Sequence, residues 1–142
     1  MYSKSIIYFL IIICLLFFCP KVDAKCLVIV NNSVSVYSIS KAEIRRIFLG
    51  KQKRWPDGQP VKPVILKEGS NQSKCIKKFI NKTASSFSSY WKRAIVSGLG
   101  IPPKSYETVE ELVKYVSVIP GAVAFIPSGI KHESTKELLI IE

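Results

Sequence analysis

"SISKAEIRRIFLGKQKRWPDGQPVKPVILKEGSNQS", residues 38–73, changes its hydrophobic period twice, and those changes decide the class of the fold. It opens on a capping box, Ser40-Lys41-Ala42-Glu43, in which the serine hydroxyl takes an orphan helix N–H and the glutamate returns to the serine N–H. Ile39 and Ile44 are placed to staple this start. Ile44, Ile47 and Phe48 share one helical face, and Gly50 supplies the stop. A basic loop, residues 51–59, follows with the turn signal Pro56-Asp57-Gly58. "VKPVILK", residues 61–67, reads as a strand, with Pro63 marking its start or a sheet edge. At Gly69-Ser70 the pattern becomes helical again, and Ile76, Phe79 and Ile80 form a face that runs to Asn81.

Outward from this stretch the alternation continues. "CLVIV", residues 26–30, reads as a buried strand ended by Asn31-Asn32. Thr83 caps a helix in which Phe87, Trp91, Ala94 and Ile95 keep helical spacing, with Gly98 and Gly100 at its end. After Pro102-Pro103 comes a second capping box, Thr108-Val109-Glu110-Glu111, with Leu112, Val113 and Val116 inward. Pro120-Gly121 turns the chain into "AVAFI", a strand closed by Pro127, and "ELLII", residues 137–141, makes one more. Strands alternating with helices, without internal repeats, predict an α/β domain in two or three layers with a mixed sheet.

The N-terminus reads differently. Lys4, an apolar block from Ile6 to Phe18 and the ending Val22-Asp23-Ala24 form a secretory signal, residues 1–24, with cleavage after Ala24. The block is shorter than the roughly 20 residues of a spanning helix, so no stable membrane anchor is expected once it is removed. Of 142 residues, 118 then remain, residues 25–142, enough for a single domain. Taking Lys4, Lys21 and Asp23 out of 21 basic and 10 acidic residues leaves 19 against 9, a net charge of +10. That charge attracts small oxyanions, polyanionic polymers or an acidic partner, or simply keeps an exported protein soluble. Nucleic acid is not an expected partner outside the cytoplasm, and the location is periplasmic or secreted.

Catalytic chemistry finds little to use. The four cysteines reduce to Cys26 and Cys75, a pair that can become a disulfide in an oxidising compartment. With His132 as the single histidine, read as a surface loop residue, no zinc set and no nucleophile–base pair assembles. No metal, no cofactor and no enzymatic activity are expected.

The junction at Lys67-Glu68-Gly69-Ser70 is the candidate site. The first N–H groups of a helix lack intrahelical acceptors and carry the positive end of the macrodipole, so a strand that delivers the chain onto a helix start can present an anion cradle. Lys67 adds charge, Gly69, Ser70, Asn71 and Gln72 add backbone N–H groups, and Ser70 and Ser73 add hydroxyls. Ordinary capping by Ser70 or Asn71 is the competing reading. Trp91 falls on an inward face, whereas Trp55 in the basic loop fits either a core or a ligand-stacking role.

Residues 38–73, with "YWKRAIVSGLGIPP" and "VIPGAVAFIPS", resemble the second lobe of the phosphate-type periplasmic solute-binding proteins of ABC transporters. Gly50-Lys51, Trp55 with Asp57-Gly58, Gly69-Ser70 and Pro120-Gly121-Ala122 match that family's motifs. Asn71, Gln72 and Leu66 depart from its Gly, Thr and Arg, with Lys67 one residue beyond the arginine position. The resemblance implies a single lobe of the type II periplasmic-binding-protein fold, a mixed sheet flanked by helices, with weak affinity for phosphate or another oxyanion at Lys67, Gly69, Ser70, Asn71, Gln72 and Ser73. It also implies an antiparallel strand entering the lobe, which brings Cys26 toward Cys75 as a disulfide. The alternative is an interaction protein that docks an acidic envelope partner on Arg45, Arg46, Lys51, Lys53 and Arg54.

Overall fold

An unbroken apolar strand needs cover on both faces, and β1 (Cys26–Asn31) has it. In the computed structural model, which describes residues 3–16, 25–67 and 69–142, β1 lies inside a six-stranded sheet of order β2-β6-β1-β5-β3-β4. The other elements of the domain are β2 (Ser38–Ser40), α2 (Lys41–Phe48), β3 (Lys62–Leu66), α3 (Ser70–Ile80), α4 (Ala84–Val96), β4 (Lys104–Tyr106), α5 (Val109–Val118), β5 (Ala122–Pro127) and β6 (Thr135–Ile141). β1 pairs antiparallel with β5 and β6, with Val28 opposite Phe125 on one side and Leu138 on the other. The pairs β2–β6, β3–β5 and β3–β4 are parallel, so β1 alone runs against its neighbours.

Side chains alternate between two cores. Cys26, Val28 and Val30 pack with Phe125 beneath α2, α3 and α4, where Phe48 and Phe79 meet the Phe125 ring at 4.7 and 5.9 Å. Ile29, Ala124 and Ile126 face Leu112 and Val116 of α5 on the other side. The architecture is therefore three-layered, helices on both faces of a mixed sheet, the larger of the two arrangements that the alternation of elements allows.

The caps account for where the helices begin. Both halves of the Ser40–Glu43 box are formed. Thr83 accepts from the Ser86 N–H at 3.0 Å, and Thr108 accepts from the Glu111 N–H at 3.2 Å. Pro63 sits at the start of β3, one residue before the pairing with β4 begins at Val64. One expectation fails: Ile95 is 53% exposed. Phe87, Trp91 and Ala94 already complete the narrow buried stripe of α4, and Ile95 lies beside it. β2 and β4 are three-residue strands without an apolar pattern of their own.

Cys26 and Cys75 form a disulfide, with Cα atoms 5.8 Å apart, that ties β1 to α3. At the N-terminus, α1 (Lys4–Leu16) is helical, and no described helix is long and apolar enough to cross a membrane. The expected cleavage point, Val22-Asp23-Ala24, lies outside the described residues.

Candidate ligand-binding site

The parallel strands β3 and β4 deliver the chain to one end of the sheet, where the Lys67 N–H donates to the Tyr106 carbonyl at 2.9 Å. Gly69 then adopts φ 144°, a conformation that favours glycine. α3 starts at once, and its N-cap residue is Gly69, which has no side chain to cap the first N–H groups. The Ser73 hydroxyl donates back to the Gly69 carbonyl at 3.1 Å, so its proton is engaged within the helix.

Gln72 lies in the first turn of α3 and is only 4% exposed. Neither its Nε2 nor its Oε1 has a hydrogen-bond partner among the described residues. Both atoms are sealed from solvent, and leaving such a group unsatisfied costs about 1–3 kcal/mol, which a small shift of the side chain toward a water or a ligand would relieve. It lines a cavity of about 600 Å³ between the end of β3, α3, α4 and the segment 102–105, along with Lys67, Gly69 and Ser73. Ile76, Phe87, Trp91, Pro102 and Pro103 form apolar wall, and Lys92 adds a second cation.

Lys67 does not offer its full charge. Its ammonium pairs with Glu107 at 2.8 Å, both side chains being well exposed. Lys104 belongs to the opposite face: a hydrogen bond to Tyr106, aided by the Tyr106 and Tyr115 phenols, holds its ammonium above the usual range.

Of the expected anion-site residues, Lys67, Gly69, Gln72 and Ser73 share the cavity, and Asn71 is exposed outside its lining. Ser70 is the first residue of α3. The basic residues divide. Arg45, Arg46 and Lys51 border a separate groove of about 520 Å³ with Lys41 and Lys78. Lys53 borders another cavity beside Gly100 and Ile101, and Arg54 donates to the Gly58 carbonyl at 2.8 Å. Trp55 is 3% exposed, and its indole N–H donates to the Gly121 carbonyl at 3.0 Å, which makes it a core residue. What the sequence reading missed is the cavity wall. Its signal was Gln72 itself, a polar residue four positions before Ile76 on the inward face of α3.

No protein-family model matches the chain, and no curated protein matches its sequence. Solved structures do. An ABC-type phosphate transport receptor from Vibrio cholerae aligns with a TM-score of 0.63 at 14% identity, over 82% of this chain and 46% of that one. The fold is that of one lobe of a phosphate-type solute-binding protein. A substrate-binding protein assigned to a phosphate ABC transporter of Clostridium perfringens, with bound phosphate, gives a TM-score of 0.65 at 14% identity, covering 82% of this chain and 45% of that one. PstS from Borrelia burgdorferi gives 0.60 at 15% identity, over 82% and 47%. This lobe thus spans less than half the length of each of these structures. Its α3 start and its Trp55–Gly121 tie involve the same residues that carry the resemblance in sequence.

Proposed function

We propose that this lobe is a solute-binding module that takes an oxyanion, phosphate first, at the start of α3. The observation that carries the reading is the α3 start at Gly69 beside the amide of Gln72, which has no partner among the described residues, in a fold shared with phosphate receptors. Helix N–H groups supply donors and partial positive charge, Gln72 Nε2 supplies one further donor, and Lys67 and Lys92 supply long-range attraction. Asn71 in place of a glycine and lysine in place of a forked arginine weaken the cradle. An anion held on one open lobe also keeps much of its hydration, so binding is expected in the millimolar range, about −4 kcal/mol. The role is binding without chemistry. The apolar block behind Lys4 and the Cys26–Cys75 bond both suit an exported protein.

Calorimetric titration of the purified protein with sodium phosphate tests the proposal. Binding that weakens severalfold in Lys67→Ala and Ser70→Ala, and weakens further with salt, supports it. Isotherms identical in wild type and both variants would exclude this site.

A further inference from the structure

We infer that the α3 site takes a phosphomonoester or phosphonate carrying an apolar substituent, in preference to bare phosphate; this rests on the oxyanion reading above. The first argument is size. A cavity of about 600 Å³ falls in the range of pockets that enclose whole organic ligands, and a phosphate ion fills only its polar corner. The second is lining. Ile76, Phe87 and Trp91 wall the cavity, and Ile95, which also lines it, is left 53% exposed where an apolar group can cover it. A hydrated anion gains nothing from that wall, whereas an aryl or alkyl substituent gains by leaving water.

The third argument is the amide. Gln72 has both a donor and an acceptor without a partner among the described residues. A phosphomonoester, largely dianionic at neutral pH because its second pKa is about 6, offers anionic oxygens to Nε2 and to the helix N–H groups. A carboxylate at neutral pH carries one negative charge where the phosphomonoester carries nearly two. The sign of charge agrees: Lys67 and Lys92 line the cavity and no described residue of the lining is acidic, with Glu107, which pairs with Lys67 at 2.8 Å, outside the lining.

Titration of the purified protein with sodium phosphate, phenyl phosphate and benzoate under identical conditions tests this. Phenyl phosphate should bind about tenfold more tightly than phosphate, with benzoate weakest. Ile95→Ser should weaken phenyl phosphate about threefold, and Gln72→Leu, which removes the unsatisfied amide at similar volume and leaves a folded chain, about tenfold. Phosphate binding as tightly as phenyl phosphate would overturn the inference and leave the oxyanion site standing. Binding of neither would overturn both. A tighter phenyl phosphate that is indifferent to both substitutions would place the ligand elsewhere and also overturn the inference.

Discussion

The indole N–H of Trp55 donates to the carbonyl of Gly121 at 3.0 Å, joining the turn after α2 to the turn before β5. The same carbonyl accepts the Lys62 N–H at 3.0 Å, so one backbone oxygen holds the entry to β3 beside the entry to β5. Gly121 has φ 78°, and a Cβ there would meet the Pro60 carbonyl oxygen at 2.0 Å. Gly121→Ala must therefore move backbone and should cost about 3 kcal/mol or more. Trp55→Phe keeps the ring but loses the hydrogen bond and some volume, and should cost about 2 kcal/mol. Urea unfolding of both variants checks the order. A milder loss in Gly121→Ala than in Trp55→Phe would contradict it.

The disulfide closes a loop with a sequence separation of 49 and fastens α3 to the centre of the sheet. Loop entropy alone assigns it about 4 kcal/mol, model-dependent. Cys75 follows Gln72 by one helical turn, so reduction should lower both the melting temperature and the affinity for phosphate. Stability that falls with unchanged affinity, measured on protein that is still folded, would separate the bond from the site.

Glu107 competes with any anion for Lys67 across 2.8 Å. Glu107→Gln should tighten phosphate binding about two- to threefold, the modest scale of an exposed pair, with the gain shrinking as salt rises. Weaker binding in Glu107→Gln would mean that the carboxylate positions Lys67 and does not compete with the ligand.

Residues 38–73 show what a sequence can reveal of this fold. The Ser40 box, the strand at 62–66 and the helix at 70–80 are local matters of capping and period, and they were legible. β2 and β4 were not, because a three-residue edge strand takes its conformation from the strand it pairs with. Trp55 gave no periodic signal inside a loop, and its core role depends on Gly121, 66 residues away. The α3 start was legible as a helix start. Its cavity was not, since Gln72, Phe87, Trp91 and Pro103 converge only after α3, α4 and β4 have packed. The pairing of Cys26 with Cys75 was implied by the resemblance, and nothing in their spacing alone required it.

The most direct test of the central claim is a phosphate titration followed by backbone amide resonances in two-dimensional NMR. The account predicts saturable shifts concentrated at Gly69 to Ser73, with the Gln72 side-chain amide moving alongside them. Shifts that instead gather at Arg45, Arg46, Lys51 and Lys78, the lining of the separate basic groove, or no shifts at millimolar phosphate, would contradict it.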